Sequence, residues 1–185
     1  MRGNTEEILM NANAAVETAE TFETAAAESP RSRMSDPTVL IPELQELAGL
    51  LFKATGNRSV PRTTIGLVQL RAGQLVGNTY LTVMHSTLLR KAGVSEERIT
   101  AVSSWRDAPY FSAAERVALE LVEAVLLPSA DGERVSDELY GRVAEQYEEK
   151  ALATLTMAIS QVNFFVPLAV IGKPLPGTNP AQQWT

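Results

Sequence analysis

The chain of 185 residues has no cysteine and only one histidine, His85. The first absence excludes disulfides, thiolate metal centres, iron–sulfur clusters and any mechanism that attacks through a protein thiol. The second excludes a histidine-rich metal site within one subunit. No Gly-rich phosphate loop or ligand cluster stands in for them, so neither a metal nor a cofactor is expected. Basic clusters are also missing. Arg31-Ser-Arg33 and Arg90-Lys91 are the densest, against a net charge of -6, which argues against a nucleic-acid partner because phosphate binding needs concentrated Lys and Arg. No apolar targeting core opens the chain, and six glutamates among its first 33 residues are unlike a mitochondrial presequence, so a cytoplasmic protein is expected.

What is present reads as helix. No alternating strand pattern of useful length occurs, whereas helix start and stop signals follow one another from Thr38 onward. Pro42 opens a helix that Gly56 ends, and Pro61 opens the next, running towards Gly77. Asn78 is placed to cap a third that reaches Lys91 and stops at Gly93. Ser95-Glu-Glu-Arg98 begins a fourth, with carboxylates at the positive end of its dipole. Ser112-Ala-Ala-Glu115 is a capping box ahead of an apolar face made by Ala114, Val117, Ala118, Leu121 and Val125. Ser136 or Asp137 starts a further amphipathic helix, and Glu149 to Ile171 forms the last.

That last segment could be mistaken for a membrane span, since Ala151 to Ile171 is 21 residues without formal charge. Ser160, Gln161 and Asn163 in mid-span and Pro167 near its end make a helix covered by neighbouring helices and subunits the better expectation, with no membrane partner. Residues 1–33, rich in Ala, Glu and Thr and closing on a proline, are expected to be a flexible polar tail. A helical domain is expected over 34–173, and a C-terminal tail over 174–185. The expected fold is an all-α bundle of about seven helices.

The stretch Gln74-Leu-Val-Gly-Asn-Thr-Tyr-Leu-Thr-Val-Met-His85 resembles the active-site helix of the alkylhydroperoxidase D and carboxymuconolactone decarboxylase family. In the peroxidase branch it reads Q-x-N-G-C-x-Y-C-x-x-x-H. Further matches are Leu67 to Gly73 (L-V-x-L-R-A-S in the family), Ala92-Gly-Val-Ser-Glu-Glu-Arg98, and Ser104 to Leu119, which is similar to W-R-x-x-P-x-F-S-x-x-E-R-A-A-L. Ala158-Ile-Ser-Gln-Val-Asn163 resembles the closing A-I-x-x-x-N. The resemblance spans about 60 to 175 and implies an alkylhydroperoxidase D-like helical fold and a homo-oligomer, a dimer, trimer or hexamer.

Three departures fall on the reactive groups. The two sulfur positions hold Asn78 and Leu81, and the glutamate that the family places twelve residues before the first cysteine is Gly66. Peroxide reduction therefore does not carry over, because neither an amide nor an isobutyl group replaces a thiolate. Of the motif's reactive groups Tyr80 and His85 remain.

Asn78, Leu81 and His85 share one helix face by their spacing, with Tyr80 at its edge. The resemblance implies a small pocket along this face, closed by Trp105, Phe111 or the last helix and open to a small-molecule ligand. One reading is a cofactor-free acid/base enzyme acting on a small organic acid or lactone by decarboxylation or isomerisation. His85 would carry the proton, while Tyr80 and Asn78 would hydrogen-bond the developing oxyanion. The alternative is a ligand-binding or scaffold protein that keeps the fold. There His85 bonds a backbone carbonyl, Trp105 and Phe111 are core aromatics, and Arg71 and Arg106 tie helices or subunits together.

Overall fold

The computed structural model describes residues 30–128, 132–177 and 182–184; the expected tail over 1–33 lies outside them up to residue 29. Among the described residues there are eight α-helices and no strand: α1 Pro37–Leu40, α2 Glu43–Thr55, α3 Arg62–Leu75, α4 Thr79–Lys91, α5 Glu96–Ala101, α6 Ala113–Leu126, α7 Asp137–Gln146 and α8 Glu149–Gly172, with a 3-10 turn at Val102–Ser104. The seven expected from the sequence are α2 to α8. The extra element, α1, is a single turn capped by Asp36, whose side chain accepts from the Thr38 amide, and is too short for a periodic signal.

The caps act as the sequence suggests. Asn78 Oδ1 accepts from Leu81 N at 2.9 Å, Ser136 caps α7, and the Ser112–Glu115 capping box is closed from both sides.

Helix α3 sits at the centre. Its buried residues point all round its axis, as expected of a helix surrounded by others. Ile65, Val68 and Ala72 join α6, α7 and α8 in one core cluster. Leu67 and Leu70 face a second, made by Leu89, Ile99, Val102, Trp105, Phe111 and Leu119. Two glycines two turns apart on α3 let α4 come close. A Cβ on Gly66 would stand 2.7 Å from Leu89 Cδ2, and one on Gly73 3.0 Å from Leu81 Cβ.

Helix α8 is the one described helix long and apolar enough to cross a membrane by length and composition. It is covered on one side only. Leu155, Ala158, Ile159 and Val162 are buried, whereas Phe164, Val170 and Ile171 are exposed, and Asn163 is exposed as well. Together with Val39, Leu40, Ile41, Leu50 and Phe52, Phe164, Val170 and Ile171 place several exposed apolar side chains on and beside α1, α2 and α8.

Candidate functional site

The second turn of α4 carries His85 inward. Only 6% of its surface is exposed, and its Nδ1 has no hydrogen-bond partner. Burial pushes its pKa down from 6.5 to about 4, because a charged imidazole would lose its water without gaining a counter-charge. At neutral pH the ring is therefore uncharged.

His85 forms part of the wall of a cavity of about 270 Å³. Tyr80, Leu81, Met84 and Leu88 also face it from α4, Leu44, Ala48 and Phe52 from α2, and Gln161, Val162, Phe165, Leu168 and Ala169 from α8. Gln69 of α3 and Gln161 bring amides to this mostly apolar wall, which also carries Asp36 and Thr38. Gln161 Oε1 accepts from Thr55 Oγ1 at 3.3 Å, which leaves its NH2 group to donate elsewhere. An adjoining cavity of about 230 Å³ shares Phe52, Gln69, His85, Leu88 and Gln161, and is also lined by Arg62 and Gly66.

The C-terminal segment closes one end. Leu175 N donates to Gln183 O at 2.7 Å, Trp184 lines the cavity, and the Tyr80 hydroxyl donates to Gln183 Oε1 at 2.8 Å. Burial, and then the negative charge of Asp36, raise the Tyr80 pKa, so the phenol keeps its proton. Tyr80 thus belongs to the wall while its hydroxyl is engaged by the tail. No sequence signal pointed to Gln69, Gln161 or Trp184; the first two are buried amides in apolar helices, detectable only as polar residues out of pattern.

Of the residues expected around the pocket, the structure brings together Tyr80, Leu81 and His85. Asn78 does not line either cavity, because its side-chain oxygen is occupied in capping α4. Trp105 and Phe111 do not close the pocket either; both belong to the second core cluster, and closure falls to α8 and the C-terminal segment. The alternative in which His85 bonds a backbone carbonyl finds no such partner for Nδ1.

The most specific sequence motif turns out to build the scaffold. Arg116 donates to the carbonyls of Trp105 and Arg106 at 3.2 Å each, and also to those of Phe111 and Ala108, holding the loop before α6. Glu123, 5% exposed, accepts from Trp105 Nε1 at 2.8 Å, Arg71 Nε at 2.7 Å and Arg106 Nη1 at 2.5 Å. Burial alone would raise the Glu123 pKa, but these donors outweigh it and the net shift is downward. The Arg106 guanidinium also lies 4.3 Å over the Trp105 ring. The two arginines therefore tie helices together within one chain. Among the described residues no group of three His, Asp or Glu side chains is placed to hold a metal ion.

Comparison with known proteins agrees with this architecture. The Carboxymuconolactone decarboxylase family profile matches residues 42–124. The uncharacterized protein YdfG of Bacillus subtilis (strain 168) is 37% identical over 125 residues, covering 67% of this chain and 83% of YdfG. The uncharacterized protein YnjA of Escherichia coli (strain K12) is 33% identical over 97 residues, 52% of either chain. The chain belongs to the carboxymuconolactone decarboxylase family, as a cysteine-free variant.

Among solved structures it is similar to ATU0492 of Agrobacterium tumefaciens, a protein of unknown function provisionally associated with the antioxidant defence protein AhpD. That match has a TM-score of 0.72 at 23% identity and covers 80% of this chain and all of ATU0492. It is also similar to the debrominase Bmp8, a substituted form of which is solved with 2,3,4-tribromopyrrole; the TM-score is 0.63 at 19% identity, covering 72% of this chain and 70% of Bmp8. At these identities the likeness establishes the helical fold shared with AhpD-like proteins.

Proposed function

We propose that this protein is a cofactor-free acid/base enzyme of the family, moving a proton on a small organic molecule in the course of an isomerisation or decarboxylation of an organic acid or lactone. The observation that carries the reading is His85: a neutral, nine-tenths buried imidazole that lines a cavity large enough for a substrate. In an isomerisation, His85 takes a C–H proton from the carbon beside a carbonyl. The electron pair of that bond passes into an enolate, and the imidazolium returns the proton to another carbon. The enolate forms beside the imidazolium, and this attraction offsets the low basicity that burial gives the ring. Donation from Gln161 to the enolate oxygen would add to it.

Tyr80 enters as a wall residue whose hydroxyl becomes available only if the Gln183 contact opens. A fold neighbour crystallised with a small halogenated heterocycle, 2,3,4-tribromopyrrole, is in keeping with small-molecule use of the fold. The exposed apolar side chains of α1, α2 and α8 fit a second copy of the chain as partner, in a dimer, trimer or hexamer, and the acidic surface fits a cytoplasmic setting without nucleic acid.

The test uses 1-indanone in D2O, with hydrogen–deuterium exchange at the carbon beside its carbonyl followed by NMR. The protein should accelerate exchange, and His85→Gln should reduce that acceleration by about 10²- to 10⁴-fold with the fold and assembly kept. Tyr80→Phe should cost less. Exchange equal in wild type and His85→Gln would reject the enzyme reading and favour the second one, a ligand-binding protein. One observation favours that second reading: the low pKa of His85 makes it a weak base when the cavity is empty.

A further inference from the structure

We infer that the His85 cavity takes uncharged, mostly apolar molecules of about two fused rings and excludes carboxylates, which narrows the reaction to a neutral carbonyl compound or lactone. The inference rests on the proton-transfer reading only for the word reaction; the charge selection stands on the wall itself. Among its described residues the cavity has no lysine or arginine, and its one formal charge is the carboxylate of Asp36. The other titratable groups on the wall are Tyr80 and His85. A carboxylate entering here would lose its water, gain no cation and meet a like charge. An unpaired buried ion is penalised by several kcal/mol, far more than amide donors from Gln69 and Gln161 return.

Size follows from volume. A dry cavity of about 150 Å³ holds benzene, so about 270 Å³ has room for a bicyclic molecule. Arg62 lines the adjoining cavity, not this one, and is itself exposed.

Two probes matched in shape and different in charge, 2-naphthamide and 2-naphthoate, are titrated calorimetrically into the full chain at pH 7.5. The amide should bind at least about tenfold tighter, since one unpaired charge is worth more than the 1.4 kcal/mol that a tenfold ratio represents. Between pH 8 and 6 the apparent affinity for naphthoate should rise about tenfold per unit, as the protonated acid becomes the bound species, while the amide stays level. Ala48→Phe and Leu168→Phe, which fill the cavity from opposite walls, should each weaken amide binding, and a variant that keeps the wild-type melting temperature locates the site.

Naphthoate binding as tight as the amide, no binding of either probe, or amide binding indifferent to both filling variants would overturn the inference. So would a naphthoate preference abolished by Arg62→Gln, which would put an anion in the adjoining cavity. Failure of the deuterium exchange with charge selection intact removes the reaction and leaves the ligand class. His85-dependent exchange with naphthoate preferred does the reverse.

Discussion

Glu123 and His85 are almost equally deep, 5% and 6% exposed, yet the fold treats them in opposite ways. Glu123 receives hydrogen bonds from Arg71, Trp105 and Arg106. His85 has an Nδ1 without a partner, enclosed by protein, while the residue as a whole lines the cavity. Buried polar groups are nearly always satisfied, and each exception calls for a reason. A carboxylate enclosed by donors explains itself as a clamp joining α3, the loop before α6, and α6. The imidazole lines a cavity, and burial alone sets its pKa.

The largest expected effect breaks the clamp. Glu123→Ala removes the acceptor from a half-buried Arg71 and from the Trp105 indole, and loss of one partner from a buried ion pair costs about 3–5 kcal/mol. Chemical denaturation should show it. His85→Leu, by contrast, replaces a neutral imidazole with an unpartnered Nδ1 by an apolar side chain in a mostly apolar wall, and should change stability at pH 7.5 by no more than about 1 kcal/mol. Equal losses in the two variants would mean that His85 is held by a bond as important as those of Glu123.

Proton titration separates the same two residues by pH. The His85 pKa is about 4 folded against about 6.5 unfolded, so the unfolded chain binds more protons between these values. The stability that neutral His85 contributes is complete above pH 6.5 and is lost progressively as pH falls to 4, up to about 3 kcal/mol. Glu123, with its pKa held below the ordinary value, contributes stability that is present above the unfolded carboxylate pKa and is lost at lower pH than this. Unfolding free energies measured from pH 8 to 4 should therefore fall in wild type, and fall much less between 6.5 and 5 in His85→Leu. Identical profiles would sink the assignment.

How much of this could be read from the chain follows the same division. Helix boundaries were legible because they are local: Asn78, Ser112 and Ser136 are side chains that satisfy amides three residues on. His85, Leu81 and Tyr80 were legible as one face through helical spacing. The cavity's far wall was legible only as one alternative, the last helix, without Gln161 or Leu168 singled out; Trp184 arrives from the C-terminal segment, and no local pattern records that contact. For Trp105 and Phe111 the family resemblance implies pocket closure, as alternatives to the last helix, while the other reading makes them core aromatics, which is where they lie. Their actual neighbours are set by Glu123, eighteen residues after Trp105, and by the core around Leu119.

A smaller effect is expected at Gly66, where the family's peroxidase branch carries a glutamate. Alanine gains about 1 kcal/mol over glycine in helix propensity, but its Cβ would meet Leu89 Cδ2 at 2.7 Å. Leu89 is itself buried at the second core cluster, so overpacking should outweigh the gain and leave Gly66→Ala destabilised by about 1 kcal/mol. In a Leu89→Val background the same substitution should become neutral or stabilising. Additive effects in this double-mutant cycle would show that the space once given to a glutamate is not held by Leu89.

The smallest effect is expected at the clamp's outer edge. The Arg106 side chain is 61% exposed, against 16% for Arg71, although both reach the same carboxylate. Arg106→Ala takes away one ion pair whose cation is exposed, worth about 1 kcal/mol, and a cation–π contact over Trp105 worth about 0.5–1 kcal/mol. Glu123 keeps Arg71 and the indole, so no buried charge is stranded. The loss should be about 1 kcal/mol and shrink further in high salt, whereas Arg71→Ala should cost more and respond less to salt because its partner pair is shielded from water. Both variants should bind 2-naphthamide as the wild type does, since neither arginine lines the cavity. If Arg106→Ala weakened the amide several-fold without lowering stability, the clamp and the cavity would be one coupled unit, and the contrast between Glu123 and His85 would have to be withdrawn.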